Sequence, residues 1–236
     1  TLTTGERLDE DGNPIPGTGF EYESDGEVAE LLAQRISPVL YSPAQGEWVW
    51  MVPDESNGEF ERIIAVCPTG NNGPILHYHP IFDEHFKPAS GSWILEADGE
   101  EVTLEAGEEL LVKRGTVHTF RCVGEEGDFG VMVADIIPPV GFVDVTKFMM
   151  GLAQEGRLTS TGDPKLLQLM VSMRGWQTKL GIKLIDVGIP KSPGKTMITI
   201  LSGILAPLGR LLGYKADYPH TQEDEFWEKH VNQPPK

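Results

Sequence analysis

His77 and His79 stand one residue apart in the run Asn71-Asn72-Gly73-Pro74-Ile75-Leu76-His77-Tyr78-His79, and Glu84 follows after a short turn containing Pro80. On a β-strand alternate side chains share a face, so both imidazoles can reach one ion while Tyr78 points the other way. Glu84 falls where the neighbouring strand is expected to begin, and a carboxylate there can close on the same ion. Taken alone, His-x-His is a weak signal, because two histidines on one strand face frequently serve only as hydrogen-bonding residues. Here it is followed by a second informative segment, Gly107 to Cys122, which contains His118. Three imidazoles and one carboxylate leave open positions on an octahedral metal, the condition for a substrate or dioxygen to bind.

Such a site needs short strands to carry it, and the sequence supplies them. From about residue 39 to 137, runs of β-branched, aromatic and aliphatic residues alternate with Gly, Pro, Asn and Asp clusters, the pattern of an antiparallel barrel or sandwich. The expected strands are 47–52, 62–66, 75–79, 84–87, 92–97, 101–104, 109–112, 118–122 and 129–137. Asp98-Gly99 between two of them predicts a tight hairpin, since both central residues of a type I′ turn need positive φ. Residues 1–27 read as an extended arm without periodicity, interrupted by Gly12, Pro14, Pro16, Gly17 and Gly19. Beyond Pro138-Pro139 the period becomes helical, predicting helices over 145–154, 164–180 and 195–212, the second announced by Gly162-Asp163-Pro164. Pro207 is expected to kink or interrupt the last of these. The resulting division is an N-terminal arm over 1–38, a β-barrel over 39–140 and a helical extension over 141–236.

At His77, His79, Glu84 and Gly91, and again at Gly107, Gly115 and His118, the chain resembles the cupin superfamily, whose motifs read G-x5-H-x-H-x3–4-E-x6-G and G-x5-P-x-G-x2-H-x3-N. It departs at three positions, with Asn71, Lys113 and Cys122 where the motifs have Gly, Pro and Asn. The resemblance implies a mainly β, RmlC-like double-stranded β-helix (jelly-roll) barrel carrying C-terminal α-helices. It implies one divalent metal ion, Fe, Mn, Ni, Cu or Zn, held by His77, His79, Glu84 and His118. Glu84 has a competing role as a catalytic base beside a three-histidine site. Because the fold hosts many reactions, it does not select one. The first expectation is a dioxygenase-type oxidoreductase acting on a small organic molecule. The alternatives are a non-redox decarboxylase, isomerase or lyase, and a non-catalytic binding or sensing protein.

Strand alternation puts Ile75 on the face of His77, Phe86 on that of Glu84 and Phe120 on that of His118, so these three either line an apolar substrate pocket or simply fill the barrel. Trp48 and Trp50 share one face of an early strand and would cover the barrel mouth or a dimer contact. Cys122 reads as structural, His85 as pointing away from the barrel, and His220 and His230 as solvated tail residues.

Nineteen Lys and Arg against 36 Asp and Glu give a net charge of −17, a balance that repels phosphate backbones and anionic lipid, so nucleic acid is not an expected partner. Two cysteines, Cys67 and Cys122, are too few for a disulfide framework. The polar, acidic residues 1–25 lack the basic and apolar regions of a signal peptide, and the expected compartment is the cytoplasm. The longest apolar stretch, residues 196–209, is too short as a helix rising about 1.5 Å per residue to cross a hydrocarbon core roughly 30 Å thick. Its broad apolar face predicts packing on the barrel or across a dimer, or docking on a membrane surface. The exposed strand edges and this face lead to the expectation of a homodimer.

Overall fold

The computed structural model describes residues 1–55, 58–71, 73–74, 76–159, 164–179, 183–184 and 195–235. The strands are β1 (Leu2–Thr4), β2 (Phe20–Tyr22), β3 (Leu40–Ser42), β4 (Glu47–Val52), β5 (Glu61–Pro68), β6 (His77–Tyr78), β7 (Asp83–Ser90), β8 (Ser92–Ala97), β9 (Glu100–Leu104), β10 (Leu110–Val112), β11 (His118–Val123), β12 (Phe129–Ile137) and β13 (Lys183–Leu184). The helices are α1 (Glu27–Ala33), α2 (Phe142–Gln154), α3 (Leu166–Lys179), α4 (Lys195–Leu211) and α5 (Asp224–His230). Two antiparallel sheets enclose the barrel, one ordered β10-β7-β12-β5-β4-β3 and the other β13-β6-β11-β8-β9. This is a mainly β architecture with C-terminal helices.

Register decides which residues face the interior. In the six-stranded sheet Ala65 pairs with Met132, and Ala134 with both Ile63 and Phe86, while Ile136 pairs with Glu84. Alternation therefore turns Val49, Ala65, Met132, Ala134 and Phe86 toward the facing sheet. There Phe86, Trp93, Leu95, Val112, Cys122 and Met132 form a buried cluster. Asp98 (φ 50°) and Gly99 (φ 85°) make the expected turn, and β8 and β9 pair through Ala97 and Glu100 directly beside it.

The opposite face of β4 and β5 carries Trp48 and Trp50, which lie neither at the mouth nor on an open surface. Both are buried in a second core with Phe20 and Leu32 from the N-terminal arm and Trp227 and Val231 from the C-terminal tail. Trp48 Nε1 donates to the Gly5 carbonyl (2.7 Å) and Trp50 Nε1 to the Leu31 carbonyl (3.1 Å). Residues 1–27 thus differ from the sequence expectation: β1 and β2 pair, and the arm is docked because two tryptophans on an outer sheet face need cover. The tail closes the same layer, with the Asn232 N–H donating to the Glu6 carbonyl (2.7 Å) and the Gly5 N–H to the Asn232 carbonyl (3.0 Å).

Pro207 lies inside α4 without ending it. Of the expected start of α3, Gly162 and Asp163 lie outside the described residues, and the helix begins two positions after Pro164. No helix among the described residues is long and apolar enough to cross a membrane.

Candidate metal centre

Three strands bring four side chains together. His77 lies in β6, His79 follows it, Glu84 opens the inward face of β7, and His118 begins β11 directly opposite His77. One ligand atom from each of the four lies within 4.8 Å of the others, so the group could hold a metal ion. The imidazole rings are 4.5–5.0 Å apart between centroids. His79, Glu84 and His118 are nearly inaccessible to solvent.

The loops that present these residues are tied together. The Gly115 N–H donates to the His79 carbonyl (2.7 Å), joining the loop before His118 to the first histidine pair. Where the motif has proline this chain has Lys113, and the turn is held instead by Asp83, which accepts from the Arg114 backbone N–H (2.8 Å) and guanidinium (2.9 and 3.2 Å). Asp98 accepts from the Val117 N–H (3.0 Å), fixing the other side of the loop. Gly73 supplies what the replaced glycine at position 71 would: at φ 64° it packs so closely on β11 that a Cβ would meet the Phe120 carbonyl oxygen at 1.7 Å.

His118 Nδ1 contacts the Thr116 carbonyl at 3.0 Å, and His79 bonds the Phe82 carbonyl while its ring stacks on Phe82 at 4.0 Å. Anchoring one nitrogen on a carbonyl turns the other toward the cluster, the arrangement that orients histidine ligands. His118 Nε2 lies 3.0 Å from Glu84 Oε2. His79 Nε2 lies 3.4 Å from the same oxygen but, although buried, makes no hydrogen bond. Burial, together with the neighbouring His77 and His118, pushes the His79 pKa down to about 2, so its ring is neutral with a lone pair available. Burial also acts to lower the His118 pKa, but the bond to Glu84 and the carboxylate's charge outweigh it and hold the value above the ordinary histidine range. A divalent cation fits this donor set, accepting the His79 lone pair left without a partner.

The cluster forms part of the wall of a cavity of about 230 Å³. His77 and Glu84 line one side, and Phe86 and Phe120 are also in the wall, as is Met132. Ile75, the third residue expected there, lies outside the described residues. The helical extension contributes to the same wall, with Phe142, Val145, Thr146, Met149 and Met150 from α2 and Leu169 from α3. Glu61 positions α2 by accepting from the backbone N–H groups of Val140, Gly141 and Phe142 (3.2, 2.8 and 2.9 Å) at the helix N-terminus.

One cavity residue escapes the sequence reading. Glu47, at the start of β4, lines the same cavity as His77 and Glu84. Among the described residues the Cys67 thiol donates to its carboxylate, Sγ lying 3.7 Å from Oε2. Burial pushes the Glu47 pKa up to about 7, against a small opposing effect of the thiol. The available signal was the tryptophan alternation: once Trp48 and Trp50 are assigned to the outer face, Glu47 and Val49 must face inward.

The remaining singled-out residues lie elsewhere. His85 is on the outer face of β7 beside Glu109 (3.3 Å), and Cys122 is in the barrel core. His220 is half exposed and bonded to Glu155 (2.6 Å). His230 is partly buried and contacts the Phe226 carbonyl (2.6 Å), so it is less solvated than expected.

No family model matches the chain. Over 114 residues it is 26% identical to quercetin 2,3-dioxygenase of Bacillus subtilis, covering 48% of this chain and 33% of that protein. Over 42 residues it is 45% identical to the tetracenomycin polyketide synthase protein TcmJ of Streptomyces glaucescens, covering 18% and 28% of the two chains. The chain thus spans about a third of the length of the curated relatives it matches. Among solved structures, an RmlC-like cupin from Shewanella frigidimarina is 15% identical, with 58% of this chain and 98% of that chain covered and a TM-score of 0.38. In motif spacing and in its double-sheet barrel with C-terminal helices, the chain is cupin-like.

Proposed function

We propose that this chain is a metal-dependent enzyme, an oxidoreductase of dioxygenase type, that binds one divalent ion through His77, His79, Glu84 and His118 and acts on a small organic substrate. The observation that carries the reading is the convergence of these four side chains, with His79 Nε2 unbonded, at the wall of a predominantly apolar cavity. Similarity to a protein named quercetin 2,3-dioxygenase supports the redox choice. A bound ion of this class supplies Lewis acidity and, if redox-active, a route for electrons between substrate and dioxygen. The chain's own residues do the rest. Phe86, Phe120 and Met132 exclude water and favour an apolar or aromatic substrate, and a cavity of about 230 Å³ restricts its size, since ordinary ligand sites run to roughly 300–1,000 Å³. Glu47 holds or releases a proton at its carboxyl within the same space.

Glu47 also favours a second reading, in which the ion acts only as Lewis acid in a decarboxylase, isomerase or lyase. Such reactions need an acid or base besides the ligands, and a carboxyl titrating near neutrality is suited to that task.

The test is elemental analysis of the purified chain, free of tag histidines, beside His118→Ala, followed by oxygen-uptake assays on the loaded protein with enols, catechols and thiols. Near-stoichiometric metal in the parent, its loss in the variant and substrate-dependent oxygen consumption are expected. Turnover that persists with Zn(II) without oxygen would transfer the assignment to the non-redox reading. Failure to bind any first-row ion would overturn both.

A further inference from the structure

The helix α4 is apolar on two sides, and among the described residues only one of them is packed. Leu201 and Leu205 lie against Leu169, Met170 and Met173 of α3, and Ser202 and Ala206 are fully buried. On the other side Ile200, Ile204, Leu208 and Leu211 recur at helical spacing, joined by Leu212 just beyond the helix, and all five are exposed, Ile204 by 66% and Leu211 by 84%. Of the twelve large exposed hydrophobic side chains among the described residues, these five fall within thirteen positions. Exposed apolar residues scattered singly need no explanation, but a continuous stripe marks a contact surface.

Charge identifies the partner. Eight of the nineteen Lys and Arg, but one of the 36 Asp and Glu, fall between residues 164 and 215. That segment carries +7, and the rest of the chain −24. The overall −17 therefore conceals a strong segregation, and the expectation that this chain as a whole is repelled by anionic lipid does not apply to its helix pair. Lys165, Arg174, Arg210 and Lys215 are exposed in the structure. A second copy is a poor occupant, because a two-fold contact would set the same cationic patch against itself. A nucleic acid would use the cations but gains nothing from a stripe of isoleucine and leucine. An apolar stripe with surrounding Lys and Arg has the composition of a segment that lies in the lipid interface. With charges screened over about 8 Å at physiological ionic strength, the acidic body opposes such docking less than the adjacent helix pair favours it.

We propose that α3 and α4 form a membrane-surface anchor, with Ile200, Ile204, Leu208, Leu211 and Leu212 entering the interface of an anionic bilayer and the flanking Lys and Arg pairing with lipid phosphates. The inference is independent of metal binding and of the reaction.

It is tested by sedimenting the full chain with vesicles of phosphatidylcholine alone and of phosphatidylcholine mixed with phosphatidylglycerol, at low and physiological salt. Binding to the mixed vesicles should be at least about ten-fold tighter, given the contribution of each cation near the surface, and should weaken with salt. The double variant Ile204→Asp/Leu211→Asp should lose binding to both vesicle types. Arg210→Glu/Lys215→Glu should lose the preference for phosphatidylglycerol. Since all four positions are exposed, near-ultraviolet circular dichroism should match the parent; if a variant is unfolded, the parent's lipid preference and salt dependence decide alone. No sedimentation with either vesicle, or equal affinity for the two, would overturn the proposal. So would a dimer in sedimentation velocity that Ile204→Asp/Leu211→Asp dissociates while no vesicle binds, which would assign the face to a second copy.

Discussion

Glu84 and Glu47 line one cavity from different strands of the same sheet, in surroundings of opposite kind. Glu84 lies among three imidazoles, with one oxygen 3.0 Å from His118 Nε2 and 3.4 Å from His79 Nε2. Glu47 is placed with Val49 and Ala65 in the cavity wall and meets a thiol, a weak donor that offsets little of the cost of burying a charge. The first environment suits an anion that shares a cation with its neighbours. The second holds a carboxyl that gains or loses a proton near pH 7. Identical side chains are thus suited to separate tasks by what surrounds them, the pattern by which acid and ligand roles can divide in a single site.

The largest effect should come from the ligand side. His118→Ala is expected to abolish stoichiometric metal binding. Glu84→Gln, which keeps the shape and removes the charge, should weaken affinity by more than the roughly 10–100-fold that follows loss of an outer-shell partner. Competition with a chromophoric chelator measures both, and parent-like affinity in Glu84→Gln would erase the distinction drawn between the two carboxyls.

Glu47→Gln should leave metal content intact and lower turnover by about 10²–10⁴-fold, the usual range for loss of a general acid or base, with disappearance of the limb of the pH–rate profile near neutrality. The same substitution has a stability signature. A carboxyl whose folded pKa lies above its unfolded value stabilises fully below the unfolded pKa, and that contribution is lost as pH rises through about 7. Thermal midpoints from pH 5 to 9 should therefore fall more steeply in the parent than in Glu47→Gln, and parallel curves would show that Glu47 is an ordinary surface carboxylate.

A smaller change is expected at the wall that both carboxyls share. Glu61→Ala removes the acceptor for three N–H groups at the start of α2 and should cost about 1–2 kcal/mol in denaturant unfolding, the upper range for helix capping. Because α2 carries Met149 and Met150 into the cavity, KM should rise more than kcat falls. The smallest effect belongs to Cys67→Ala, which removes the thiol that donates to Glu47 and should move the neutral pH limb upward by a fraction of a unit with little loss of rate.

Much of the barrel and the convergence of its three histidines and Glu84 was legible in the sequence because both rest on local rules. Alternation along a strand places His77 and His79 on one face, and a short turn brings Glu84 back beside them. Asp98-Gly99 announced its hairpin through the φ values such a turn requires. Glu47 was not legible, since an acidic residue at a strand start usually faces water, and only the docking of Phe20 against Trp48 and Trp50 reveals which face of β4 is outside. Where the arm docks was not legible for a related reason: Phe20 lies among Gly and Pro residues without periodicity, and its order comes from the tryptophans it covers. The exposed side of α4 was visible as an apolar face, but which part of that face α3 would bury was not.

By itself the sequence determined the spacing of four metal-competent side chains and the period of the elements that carry them, because these depend on neighbours a few positions apart. Tertiary structure alone decided that Glu47 enters the cavity, that α2 and α3 join its wall, and that among the described residues an apolar stripe of α4 is left exposed. Those outcomes depend on desolvation and on contacts between segments far apart in the chain, which no local pattern specifies.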